Sequence, residues 1–533
     1  MGGKKEAAAE VSGRTKAILD KLLNSRHSNR YLAFIILLIA MIPRVFYISI
    51  GVLPNGVDEG VDIMAGRMWN FGSDLYSQIN TVQAPLMLSV YGLIEADPVI
   101  FRLFSTACSL VIIAFVMWVG NRIGGRNVMV ASGVFMAMDL MFLHESRFAS
   151  LDVFCLLWVA IGIAFLVKFR QSGSRRALLL MGAALAIASM IKLFGVIATG
   201  VIGLILLYDL ISDWSLLRKF HLRRFIPPRR IPEVMLSHLV LYTLSWFLVV
   251  LLIMTRYGIL NVIEGVLLNQ LHRPTSPLDL RMSIFGLFIL LNIGAIPFIP
   301  FGVKGLYRRP EGVILVISVV YLLWFLFQST TWTHHLIFLS PVTSLCGGIG
   351  IMEATTWWSR RRRFRNMPDI TRKMVVMTEV ILVVLAAMVG GGFTWFIKER
   401  GVPIETQASE VVMELTDEGD YVVSGDPIVV AMAEGRLTPD NLVNVAMVQY
   451  PMITDDELNG TCIRYGVEVV VLAYHLDEMK GFLDFVEGNY TLRARIVDHQ
   501  FFLDNIIKEY RIYYLPIDAE LRNDPEWRAA LGY

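Results

Sequence analysis

Charge is scarce in this chain. Only 18% of its 533 residues are Asp, Glu, Lys or Arg, against about 25% in ordinary soluble domains. That shortage excludes a simple soluble enzyme, since many windows of about 20 residues carry almost no charge. Cysteine is scarcer still. There are four, Cys108, Cys155, Cys346 and Cys462. Three fall in apolar runs, so the polar C-terminal part has no pair from which to build a disulfide framework. A small-residue cleavage site is also missing after the first apolar run, so no cleavable signal peptide is expected and that run is read as a permanent first span. No repeat of fixed period is visible.

What the chain has is apolar length, 55% of residues. Eleven spans are expected, at about 31–50, 99–120, 127–143, 150–168, 177–193, 195–212, 234–255, 283–303, 312–329, 336–353 and 374–397. The net charge of +2 hides an asymmetry. From Lys398 onward there are 25 acids against 11 Lys/Arg; before it there are 21 against 37. Basic residues collect in alternate connections: the N-terminal tail, Arg122 to Arg126, Lys168 to Arg176, Arg218 to Arg230, Lys304 to Arg309, and Arg360 to Arg365. The positive-inside rule places all six in the cytoplasm. The alternation holds only if 177–212 is two passes. As one helix its 36 residues would run roughly 54 Å at 1.5 Å per residue, too long for a hydrocarbon core of about 30 Å. The chain is therefore expected to turn near Lys192 on the outer side.

Three parts follow. Residues 1–30 are a basic cytoplasmic tail. Residues 31–397 are a membrane module with a first outer loop at 51–98. Residues 398–533 are an extracytoplasmic domain. Within that domain DYVVS, NLVNVAMV, VEVVVLAY and YRIYYLP read as strands, and SEVVMELTD and LDEMKGFLDFVEGNY as helices, so a small α/β domain is expected. It carries two N-x-T sequons, at Asn459 and Asn489, a motif short enough to arise often by chance. In the first outer loop, AGRMWNFGSDLY is expected to lie along the interface as an amphipathic helix anchored by Trp69 and Tyr76.

The informative charges are those that topology does not explain: Asp58, Glu59, Asp62, Arg102, Asp139, Glu145, Arg147, Asp152 and Lys192. Most fall at the outer end of a span, forming one layer drawn from helices distant in sequence. Each also has a plain reading, as a charge neutralised by its neighbours. An enzyme on the outer face lacks ATP and nucleotide sugars, so it must draw an activated group from a carrier in the lipid. Displacing a lipid phosphate needs a base for the acceptor hydroxyl and cations for the departing phosphate. A carboxylate at the membrane surface with Arg and Lys nearby supplies both.

Several stretches occur in an order that resembles the GT-C glycosyltransferases, and within them the dolichyl-phosphate-mannose protein mannosyltransferase and aminoarabinose transferase group. VDEG (57–60) is similar to the acidic pair of the first outer loop. QAPLMLSVYGL (83–93) resembles its Pro-Pro-Leu stretch, with Ala84 for the first proline. FRLFSTACSL (101–110), ESRFASLDVFCLL (145–157), ASMIKLFG (188–195) and TWTHHLIFLSPVTSLCGG (331–348) resemble later elements of the same group. The Trp-Trp-Asp motif of oligosaccharyltransferases is absent, since Trp357-Trp358 precedes Ser359.

The resemblance implies transfer of a single, mannose-like sugar from a polyprenyl- or dolichyl-phosphate donor to a protein, lipid or glycan hydroxyl, with inversion. It places Asp58 as general base and Glu59 beside it, positioning the acceptor or accepting bonds from Arg147. Arg102, Arg147, Lys192, His334 and His335 are the candidates for the donor phosphate, with Glu145 and Asp152 in support. Asp62 is read as a solvated neighbour; a divalent cation on Asp58, Asp62 and Asp152 is not favoured, and no cofactor is expected. Asp139 has no assigned role. The competing function is a lipid or sugar transporter, which would place its charges near the midplane and often show broken helices or repeats. A silent scaffold with this fold is a third reading, against which the acidic pair argues. The basic loops imply contact with anionic lipid headgroups, not nucleic acid.

Overall fold

The computed structural model describes residues 28–46, 48, 56–94, 98–212, 232–268, 275–307, 309–328, 331–359, 368–400, 402–444, 453–499 and 507–516. The basic segments 1–27, 213–231 and 360–367 lie outside the described residues.

The membrane module is a set of apolar helices. The first is α1 (Ser28–Val45). Helices α2 (Gly56–Asn70) and α3 (Pro85–Ile94) follow in the first loop. Next comes a 41-residue element, α4 (Pro98–Met138). It is not one rod. Gly125 takes φ 74°, ψ −160°, a left-handed backbone that only glycine adopts cheaply. The two halves fold back on each other: a Cβ placed on Gly133 would meet the Met117 side chain at 2.5 Å, and one on Gly120 the Val128 carbonyl at 3.1 Å. The reversal sits between Arg122 and Arg126, where the basic connection between two spans is expected.

A short α5 (Leu140–Glu145) follows, N-capped by Asp139, which accepts the Phe142 N–H at 3.0 Å. Then come α6 (Leu151–Ser172), α7 (Arg175–Ile191) and α8 (Phe194–Ser212). The chain does turn at Lys192, which caps α7 in an extended conformation (φ −154°, ψ 147°). Helix α9 (Pro232–Tyr257) leads into Ile259–Leu268, whose second half is π-helical. The expected span at 283–303 is broken. Helix α10 (Leu278–Leu291) meets the segment Ile296–Tyr307, a 3-10 turn running into α11 (Ile299–Tyr307), at 89°, because Gly294, Pro297 and Pro300 crowd one segment with residues that interrupt helical pairing. Helices α12 (Val313–Phe327), α13 (Ser340–Ser359) and α14 (Pro368–Arg400) complete the module.

Five described helices are long and apolar enough to cross a membrane, or six with the bent pair as one span; the hairpin at Gly125 divides one of these, and several shorter apolar helices accompany them. The protein is an integral membrane protein.

The C-terminal part contains α15 (Ile404–Leu415), α16 (Pro427–Met432), α17 (Asp455–Tyr465) and α18 (Lys480–Asn489). They surround a four-stranded sheet of β1 (Val422–Ser424), β2 (Val469–Leu472), β3 (Thr491–His499) and β4 (Ile507–Tyr514), in the order β1-β2-β4-β3. The β1–β2 pair is parallel and the others antiparallel. Three expected strands are present. The fourth, NLVNVAMV, is not a strand where it is described, since Asp440–Leu442 is a 3-10 turn and 445–450 lies outside the described residues. Its place in the sheet is taken by β3. The expected helix over LDEMKGFLDFVEGNY is divided between a 3-10 turn, Tyr474–Glu478, and α18.

The interfacial helix expected at AGRMWNFGSDLY is also different. Residues 65–70 continue α2, and Met64, Ala65 and Met68 are buried. Trp69 meets Tyr257 at 6.0 Å, with the Arg256 guanidinium 5.6 Å from its ring. Helix α2 packs between α3 and α16 rather than on lipid, because Met64, Ala65 and Met68 recur at helical spacing and form an inward apolar face.

Candidate active site

The site begins with the first turn of α2. Asp58 and Glu59 stand in that turn, at the positive end of the helix dipole, and Asp62 follows one turn on. Residues 58 and 62 are one turn apart on one face, and Glu59 points about 100° away. That difference divides their roles. The Glu59 side chain is 1% exposed and accepts two bonds from Arg102, Nε at 2.9 Å and Nη2 at 2.8 Å. It also accepts the Ala149 N–H at 2.9 Å. Asp58 is 65% exposed and its carboxylate makes no hydrogen bond among the described residues.

Three other helix ends meet Asp58. Asp152 lies in the first turn of α6 and Lys192 at the end of α7. Lys192 Nζ reaches Asp152 Oδ2 at 2.6 Å, an ion pair 40 residues apart in sequence. His334 opens the 3-10 turn Thr333–Leu339. Its Nε2 stands 3.8 Å from Asp152 Oδ2 and 3.9 Å from Asp58 Oδ2, bridging the two acids. Asp152 Oδ1 is buried and has no hydrogen-bond partner among the described residues. Glu145 sits alongside, accepting from Ser150 Oγ at 3.3 Å and facing His144 Nδ1 at 3.2 Å. Asp58, Glu145, Ser150, Asp152, Lys192 and His334 line one cleft.

The structure thus gathers Asp58, Glu59, Asp62, Glu145, Asp152, Lys192 and His334 around one space. Three expected site residues are elsewhere. Arg102 is buried behind the cleft against Glu59, with Nη1 also donating to the Ile48 carbonyl at 3.2 Å. Arg147 neutralises neither Glu145 nor Asp152, nor does it hold Glu59. Its guanidinium donates to the carbonyls of Pro43, Arg44 (3.1 Å) and Phe46 (2.7 Å), tying down the end of α1. His335 turns away: its Nδ1 faces Gln328 Nε2 at 2.8 Å and its ring lies 4.8 Å from Phe194. Among the described residues no three His, Cys, Asp or Glu side chains form a metal-binding group.

Asp62 is a correction too. It is not solvated but 3% exposed. Burial, followed by the neighbouring charge of Asp58, pushes its carboxyl well above the ordinary value near 3.8. The folded protein therefore holds a proton that the unfolded chain releases, so stability is lost as pH rises above about 4 through the folded-state value. Asp62→Asn should abolish that component. Thermal midpoints measured from pH 4 to 7 should favour the variant increasingly over the wild type as pH rises; parallel curves would refute it.

Gln83 was not legible as a site residue. It lines the cleft, and its loop is fixed by Tyr76, whose hydroxyl donates to the Gln83 carbonyl at 2.8 Å. The only signal for it is its place at the head of QAPL.

This arrangement of apolar helices, a first-loop helix over a charged cleft and a C-terminal sheet is a GT-C-like fold, shared with membrane proteins of solved structure. Over 92% of this chain and 98% of the other, it is similar to ArnT from Cupriavidus metallidurans bound to undecaprenyl phosphate, with a TM-score of 0.60 and 14% identity. It also resembles the Archaeoglobus fulgidus oligosaccharyltransferase AglB in complex with an inhibitory peptide and a dolichol-phosphate: TM-score 0.52, 11% identity, 88% of this chain and 74% of that one. More narrowly, residues 89–260 match the family model for dolichyl-phosphate-mannose-protein mannosyltransferase. No curated protein matches the chain.

Proposed function

We propose that this protein moves a single, mannose-like sugar from a polyprenyl- or dolichyl-phosphate donor to a hydroxyl of a protein, lipid or glycan on the outer face of the membrane. In this reading the N-terminus is cytoplasmic, and residues 398–533 form the extracytoplasmic domain beyond the membrane module. The observation that carries it is the exposed Asp58 carboxylate, 3.9 Å from His334, at a cleft walled by the Lys192–Asp152 pair. Two proteins of this fold bind lipid phosphates, undecaprenyl phosphate in one and dolichol-phosphate in the other.

Asp58 accepts the proton of the acceptor hydroxyl. The oxygen attacks the anomeric carbon, the carbon–oxygen bond to the donor phosphate breaks, and its electron pair leaves with the phosphate. A single displacement of this kind inverts the anomeric centre. Lys192 and His334 offer donors to the charge that develops on the leaving phosphate. Asp152 fixes the Lys192 ammonium, so that group is in place before the donor arrives. Glu59 acts from behind by holding α2 to Arg102. The broken helix at Asn292 is a feature that transporters also use, and none of its residues lines the cleft.

A screen of radiolabelled mannosyl, glucosyl and aminoarabinosyl polyprenyl phosphates, scored by product linkage and anomeric configuration, tests the reaction. No transfer from any of them would overturn it. A cysteine at residue 58 that labels only from the cytoplasm would overturn the topology. Lys192 has its own test. Removing it alone strands Asp152, so Lys192→Ala is made together with Asp152→Asn. The double variant should fold and bind the lipid phosphate about 10–100-fold more weakly, as expected for one charged hydrogen bond. Unchanged donor affinity would remove Lys192 from the phosphate site.

A further inference from the structure

Helix α2 is held from two sides. On the membrane-module side, Glu59 binds Arg102 and the Ala149 N–H. On the other side lies α16 of the C-terminal part. Gly60 touches it directly. A Cβ at Gly60 would fall 2.1 Å from Ile428 N and 2.6 Å from Ile428 Cα, backbone atoms that cannot swing away. Two turns further along α2, the Arg67 guanidinium donates to four carbonyls of that part: Val430 (3.2 Å), Ala431 (2.9 Å), Ala433 (3.4 Å) and Arg436 (3.0 Å). The last carbonyls of a helix lack intrahelical partners, and one side chain of the first loop takes up two of those of α16, Val430 and Ala431, together with its C-cap carbonyl at Ala433.

Helix α16 is itself fixed to the sheet. Gly425 N–H donates to the Val471 carbonyl at 3.0 Å, Ser424 Oγ donates to the Asp426 carbonyl at 2.7 Å, and the Tyr510 hydroxyl donates to the Asp426 carboxylate. Contacts therefore run without a gap from the C-terminal sheet to the turn of α2 that carries Asp58. With no hydrogen bond on its own carboxylate, Asp58 owes its position to the helix.

We propose that Gly60 and Arg67 are positioning residues through which the C-terminal domain sets the placement of Asp58, so that docking of this domain governs turnover. The proposal rests on the reading of Asp58 as the base. Helix propensity alone gives the opposite expectation for Gly60, since replacing a helical glycine by alanine ordinarily stabilises the helix.

The test uses the full-length protein and two readouts. Hydrogen exchange over residues 56–70 and 427–436 follows the clamp without reference to any reaction. In Arg67→Ala both segments should exchange about tenfold faster or more, while α6 is unchanged. The kcat should fall by about tenfold or more with donor KM within about threefold, and Arg67→Lys should recover part of the loss. Gly60→Ala should behave like Arg67→Ala. Arg495→Ala, which removes an exposed pair with Glu509 on the distant strand β3, should alter neither readout. Unchanged exchange over 56–70 in both clamp variants would overturn the clamp, and faster exchange with unaltered kcat would overturn its control of turnover. If the wild type transfers no sugar from any lipid phosphate, the reading of Asp58 falls, and the exchange data still decide whether the clamp exists.

Discussion

Asp58→Asn should lower transfer by about 10²–10⁴-fold, the range for removing a general base, while the protein keeps its fold and its affinity for the lipid phosphate. The substitution is nearly isosteric. Asp58 makes no hydrogen bond among the described residues, and its side chain is 65% exposed. No partner is stranded, so a stability loss is not the expected cause. The amide cannot take a proton from the acceptor hydroxyl. The measurements are initial rates with saturating donor, alongside lipid-phosphate binding and a thermal midpoint. Activity within a few fold of wild type would remove Asp58 from the chemistry. Lost activity with an equal loss of donor affinity would make it a binding group instead.

Glu59→Ala, one residue away, should fail differently. It leaves Arg102, 2% exposed at the side chain, without its carboxylate. Stranding one member of a buried ion pair costs about 3–5 kcal/mol. The Ala149 N–H loses its acceptor as well, about 1–3 kcal/mol more. Set against a typical total of about 5–15 kcal/mol, this is enough to deplete folded protein. Recovery of monodisperse protein and the thermal midpoint should both fall sharply, and Glu59→Gln, which keeps an acceptor oxygen, should be milder. A midpoint for Glu59→Ala near that of the wild type would show that the pair contributes little. The two adjacent acids thus separate cleanly, one by rate and the other by stability.

The turn at Lys192 was readable because it rests on length and charge. A 36-residue run whose only charges are Lys192 and Asp209 must turn, and Lys192 marks where. The reversal at Gly125 was readable for the same reason, with Arg122 and Arg126 on either side of it. The break at Asn292 was not, because a run of apolar residues with two prolines reads as one span when only hydropathy is counted. Side-chain partners were the least legible. Arg102 and Arg147 both stand at span ends beside acids, and nothing in the linear order says that Glu59 chooses Arg102. Asp62 looked like one of several solvated acids, since the elements that bury it lie far along the chain. Strand β3 was passed over because Arg493, Arg495 and Asp498 interrupt its apolar residues, and its pairing with β4 includes a register shift between Leu492 and Ala494.

Arg67 and its carbonyl acceptors are 363 to 369 residues apart in the chain. During synthesis at about 5–20 residues per second, helix α2 is therefore made roughly 20–70 s before the groups that seat it. Through that interval the membrane module is inserted while its acidic helix lacks half of its supports. A chain that stops before residue 430 carries α2 without the carbonyl acceptors of Arg67. The second support of α2 is therefore a late one: it becomes available only once residues 430 to 436 have been made.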